Sequence, residues 1–122
     1  MHKLPELQAH YKIWLSLKNG DGILGDGKWQ LLSKINELGS ISKAAEAIGI
    51  SYRKAWGNLK KMEVLLNIPI IQKQRGGAKG GGCTVLTENG IKIITIYSKF
   101  HNNIELSFNN TFRKFLTELK NV

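Results

Sequence analysis

Between Ser40 and Pro69 the chain reads SISKAAEAIGISYRKAWGNLKKMEVLLNIP, and this stretch admits few folds. A helical pattern runs for barely two turns before Gly49 interrupts it, and a second begins at once. Glycine reaches the left-handed backbone region without steric cost, so Gly49 suits a tight turn. Ser40 or Ser42 can cap the first helix, which runs through Ile48, and Ser51 can cap the second. The second must stop by Pro69, whose ring disfavours helical backbone in the residue before it. Ala44, Ala45 and Ala47 are small where two helices have to cross closely, and Ile48 and Ile50 suit the core beneath the turn. In the second helix Tyr52, Ala55, Leu59, Met62 and Leu66 recur on one face, and Arg53, Lys54, Gly57, Asn58, Lys60 and Lys61 fall largely elsewhere. Trp56 is assigned to the core in preference to stacking on a base, because large aromatics dominate burial.

The flanks complete the pattern. Tyr11, Ile13, Leu15 and Leu17 alternate as in a strand, NGDG reads as a turn, and Ile23 and Leu24 form a brief return strand. Trp29, Leu31, Leu32, Ile35 and Leu38 predict a helix over 28–38 that Gly39 ends. IPIIQKQ and CTVLT read as two strands of a hairpin around RGGAKGGGC, which holds five glycines in nine residues. Thr87 caps a final helix whose apolar positions run from Ile91 to Leu119, with a break expected near HNN. The order is strand, turn, strand, three helices, hairpin and long helix. That predicts an α+β fold, mostly α: a winged helix-turn-helix with an N-terminal β-hairpin and a long C-terminal helix, the helix-turn-helix over about 40–67 and the wing over about 70–86.

Charge narrows the function. The 122 residues carry a net charge of +9, which points to a polyanionic partner. Residues 1–41 contribute +1, residues 42–82 contribute +6 and residues 83–122 contribute +2, so the excess is concentrated as a binding footprint would be. The basic segment is not one amphipathic membrane-surface helix, because Gly49, Pro69 and the glycine run interrupt it. No run approaches the ~20 apolar residues of a membrane span. One cysteine, Cys83, excludes an internal disulfide and fits a reducing cytoplasm. His2, His10 and His101 are too scattered for a metal site, and no cofactor is implied.

Two phosphate-loop patterns are decoys. Gly20, Gly22 and Gly25 satisfy G-x-G-x-x-G but lie in an expected hairpin, without the parallel strand and crossover helix of a dinucleotide site. Gly22 to Lys28 gives G-x-x-x-x-G-K, but Trp29 follows where a Ser or Thr would hold Mg²⁺. No nucleophile or acid–base pair can be nominated, so an enzyme is not expected. The helix-turn-helix carries more. The second helix begins with Ser51, Tyr52, Arg53 and Lys54, polar and basic at the end that approaches base edges. Arg53 is the best candidate to read a base, since a guanidinium binds guanine bidentately; its other reading is a solvated arginine. Asn58 can reach adenine or serve a structural role, and Lys54, Lys60 and Lys61 suit phosphate or solvent. Ser42 and Lys43, opening the preceding helix, complete this part of the candidate set.

GSISKAAEAIGISYRKAWGNLKKME, GGAKGGGCTVLTENG and the leading KIWL…GDGILGDGKWQLLSKINELGSIS resemble the DNA-binding domain of the molybdate-responsive transcription regulator (ModE) family, a LysR-like winged helix. The resemblance covers roughly residues 10–100. It implies a homodimer on double-stranded operator DNA, with the helix over about 87–120 in the dimer contact. It maps Ser51, Tyr52, Arg53 and Lys54 onto the start of the recognition helix. Arg75, Gly77, Lys79 and Gly80 map onto a wing that lies over the minor groove or its flanking phosphates. The chain is expected to be one DNA-binding domain, with molybdate binding not expected on it, because the oxyanion-binding domains of molybdate-sensing members have no counterpart here. The competing expectation is a winged-helix interaction module without base-specific binding.

Overall fold

The computed structural model describes residues 4–75 and 82–122, with the side chains of Arg75 and Gly82 left aside. The expectations at Gly77, Lys79 and Gly80, and for the Arg75 side chain, fall outside the described residues. In chain order the elements are β1 (Trp14–Ser16), β2 (Gly22–Gly25), α1 (Asp26–Leu38), α2 (Ile41–Ile48), α3 (Tyr52–Leu66), β3 (Ile71–Arg75), β4 (Gly82–Leu86) and α4 (Glu88–Leu119). The chain divides into two compact units, Ile13–Ile96 and a second made of Met1–Lys12 with Tyr97–Val122. No helix among the described residues is long and apolar enough to cross a membrane.

The Ile13–Ile96 unit holds the predicted winged arrangement. β1 and β2 pair antiparallel, so the G-x-G-x-x-G glycines do lie in a hairpin. β1 is shorter than the alternating run from Tyr11 suggests. The register slips between Leu15 and Ser16, and the chain then turns, with the Leu17 and Gly20 amides donating to Asp21 and Leu17 carbonyls. α1 starts at Asp26, two residues before the expected Lys28, and Gly39 ends it at φ 69°. The core is apolar: Ile23 and Leu24 of β2, Leu31, Leu32 and Ile35 of α1, Ile41, Ala44 and Ala45 of α2, and Ala55, Leu59 and Met62 of α3, with Ile70 and Leu86 beneath the wing. Ala44 and Ala45 are the small residues at the helix crossing. Ala47 faces solvent, and Ile48 and Ile50 are only half-buried.

α3 ends earlier than Pro69 demands. Asn67 adopts the left-handed conformation at φ 55°, and the Ile68 amide donates to the Glu63 carbonyl. β3 and β4 then pair antiparallel from Ile71 with Leu86 to Arg75 with Gly82. Their base is fastened on three sides. The Glu63 carboxylate accepts from the Ile70 and Ile71 amides at 2.7 and 3.2 Å. The Thr84 amide donates to the Gly39 carbonyl at 3.0 Å. The Thr87 amide donates to the Ile70 carbonyl and its hydroxyl to the Pro69 carbonyl. The same hydroxyl accepts from the Gly90 amide at 3.0 Å, capping α4 as the sequence predicts.

In the second unit, α4 runs through HNN without the expected break. Asn102 and Asn103 are poor helix formers but do not obstruct the backbone as proline does. Tyr97 is buried there, and the Tyr11 ring meets Phe108 with centroids 4.3 Å apart.

Candidate nucleic-acid interface

The turn between α2 and α3 is built from backbone chemistry. Ser40 caps α2, its hydroxyl accepting from the Lys43 amide at 3.1 Å. Gly49 closes the helix in the left-handed region at φ 78°, and the Ile50 amide reaches back to the Ala45 carbonyl at 3.0 Å. Ser51 caps α3 by accepting from the Lys54 amide at 3.0 Å. This fixes a helix N-terminus whose aligned amides favour anions.

Of the sequence-nominated residues, Ser51, Tyr52, Arg53 and Lys54 stand together on this exposed start, and Ser42 and Lys43 are exposed on the first turn of α2. At about 100° per residue, Arg53, Gly57, Lys60, Lys61 and Val64 share the face opposite Ala55, Leu59 and Met62. Lys61 belongs to that outer face, and Asn58 sits half-buried on its flank. One expectation is corrected: Trp56 is 43% exposed and does not belong to the core. Tyr52, whose ring suits the buried face and whose hydroxyl can reach a phosphate, is 51% exposed; both lie at the margin of a contact stripe that Ala55, Leu59 and Met62 already fill. Gly57, whose missing side chain suits a close approach of either another helix or a DNA backbone, has nothing within 4 Å of where a Cβ would stand, so no helix of the described residues accounts for it.

Sequence reasoning missed two side chains beside this surface. Glu63 accepts the two amides of the wing base and lies 3.3 Å from Lys60, whose ammonium sits 5.4 Å from the Trp56 ring centroid. Partial burial pushes the Glu63 carboxyl up, but the Ile70 and Ile71 amides and Lys60 outweigh it, and its pKa falls below the ordinary value. Lys28, in the first turn of α1, donates to the Gly22 carbonyl at 3.1 Å. Burial lowers its pKa first, and the positive charge of Lys61 lowers it further. The two cations, from α1 and α3, thus repel each other in the folded chain. The sequence carries no signal for it, since Lys28 and Lys61 are brought together only by packing.

Residues 27–91 match the profile of a family described as bacterial regulatory helix-turn-helix protein, lysR family. The chain belongs to this lysR family of bacterial regulatory helix-turn-helix proteins. Among curated relatives, the molybdenum-pterin-binding protein MopB of Rhodobacter capsulatus is 42% identical over 74 residues, 61% of this chain and 27% of that protein. The DNA-binding transcriptional dual regulator ModE of Escherichia coli (strain K12) is 38% identical over 87 residues, 70% of this chain and 33% of that protein. The resemblance to the ModE family is thereby borne out, and the chain spans about a third or less of these relatives' length. Two solved structures share the fold. Vibrio fischeri DarR, in complex with DNA, superposes with a TM-score of 0.55 at 17% identity, over 77% of this chain and 30% of that one. Lactococcus lactis ZitR, also with DNA, gives 0.53 at 19%, over 90% and 82%. The winged helix-turn-helix expectation holds, and the family is one of regulators, not of enzymes.

Proposed function

We propose that this chain is a sequence-specific, DNA-binding transcription regulator that acts in the cytoplasm as a homodimer on a pseudo-palindromic operator. The observation that carries this reading is the capped start of α3. Ser51 fixes it, Arg53 and Lys54 stand exposed on it, and Lys60 and Lys61 continue the charge along the helix. Arg53 is assigned to a base edge, with Ser42, Lys43, Lys54 and Lys61 on phosphates and Asn58 beside the groove. Arg75, Gly77, Lys79 and Gly80 are assigned to the wing's contact with the flanking backbone. ModE of Escherichia coli is a DNA-binding transcriptional regulator by name, and DarR and ZitR were solved with DNA, which supports the same partner here. A two-fold dimer sets the half-sites one helical turn apart, or a multiple of it.

In vitro selection from random duplexes against excess competitor tests the reading. The expected product is a palindromic site preferred at least about 10³-fold over competitor, bound by a species of dimer mass in light scattering. A preference near one supports the interaction-module reading and overturns this one.

A further inference from the structure

We propose that Trp56 reads a thymine, its indole packing against the C5-methyl group in the major groove. The inference rests on the DNA-binding reading above and adds a specificity-determining residue to it. Trp56 and Tyr52 lie one turn apart on the first two turns of α3, and both are left substantially in water although the core face of that helix is closed by Ala55, Leu59 and Met62. Packing within the chain therefore covers only part of the indole. Beside it, Gly57 leaves the outer surface of α3 bare, with nothing within 4 Å of the missing Cβ, so the helix can come close to base edges there. The ring is also held. Lys60 sits 5.4 Å from its centroid and is itself engaged by Glu63 at 3.3 Å, and Glu63 is tied to the Ile70 and Ile71 amides. A positioned apolar face beside Lys60, on a helix that also carries Arg53, Lys54 and Lys61, suits a polyanion that offers an apolar group. In the major groove that group is the thymine methyl.

Replacing each operator thymine in turn by deoxyuridine removes only the methyl group. At one position per half-site the wild type is expected to lose about four-fold in affinity, the worth of one buried methyl group. Trp56→Ala and Trp56→Gln should bind the thymine and uracil duplexes equally at that position, with the salt dependence unchanged because no charge is removed. Far-UV circular dichroism identifies which of the two variants is folded, and the folded one decides. A wild type that selects an operator but is indifferent to uracil at every position overturns this contact alone, as does a folded variant that still discriminates. A wild type that selects no sequence overturns the regulator reading and this contact together.

Discussion

A carboxylate that accepts two backbone amides exchanges water for fixed donors, and Glu63 does so at the foot of the wing. Its folded-state pKa lies below the ordinary 4.5, so the stability it supplies is fully present above pH 4.5 and is lost as pH falls through the folded value. Glu63→Gln is expected to lower stability by about 1–3 kcal/mol at pH 7, since hydrogen bonds to a charged acceptor are the strong ones. Thermal melts of the two proteins should draw together as pH is lowered below 4.5 and through the folded value; a gap that does not narrow would assign the loss to shape and not to charge. Individual residues were legible in proportion to how locally they act. Ser40, Ser51 and Thr87 bond amides three residues ahead, so the caps are written in short stretches of sequence. Trp56 misled because helical spacing places it at the edge of the core stripe, and its exposure depends on what α3 meets in three dimensions.

At the scale of elements, the start of α4 is seated against the wing through Gly90. A Cβ at this position would stand 2.5 Å from the Ile70 carbonyl oxygen and 3.2 Å from Leu86 Cβ. Gly90→Ala should therefore cost about 1–3 kcal/mol, read as a lowered midpoint in urea, even though alanine is the better helix former. An unchanged midpoint would mean that helix and strand part freely. The sequence offers no reason for the glycine of TENG, and only the approach of Ile70 shows why it is small. The long helix itself was plain from the apolar spacing between Ile91 and Leu119. The break expected at Asn102 and Asn103 was not found, because propensity is a weak prior beside a continuing apolar face. At 32 residues, α4 extends about 48 Å.

The whole molecule is organised around its uneven charge, with +6 of the +9 in residues 42–82. If the wing meets phosphates, an Arg75→Ala/Lys79→Ala double variant should weaken binding to all duplexes alike. It should also flatten the plot of log affinity against log salt by up to about two charges' worth. An unchanged slope would remove the wing from the interface. The order of elements was legible because each is punctuated by glycine, proline or a capping serine or threonine, and because few folds put two short helices before a hairpin. The repulsion between Lys28 and Lys61 was not, since it arises only in the folded chain. The three-sided fastening of β3 and β4 through Glu63, Gly39 and Thr87 has an evolutionary consequence. Every one of those hydrogen bonds lies outside residues 76–81, so insertions and exchanges in that stretch leave the anchorage intact. Descendants of this chain can vary that stretch while inheriting the same scaffold.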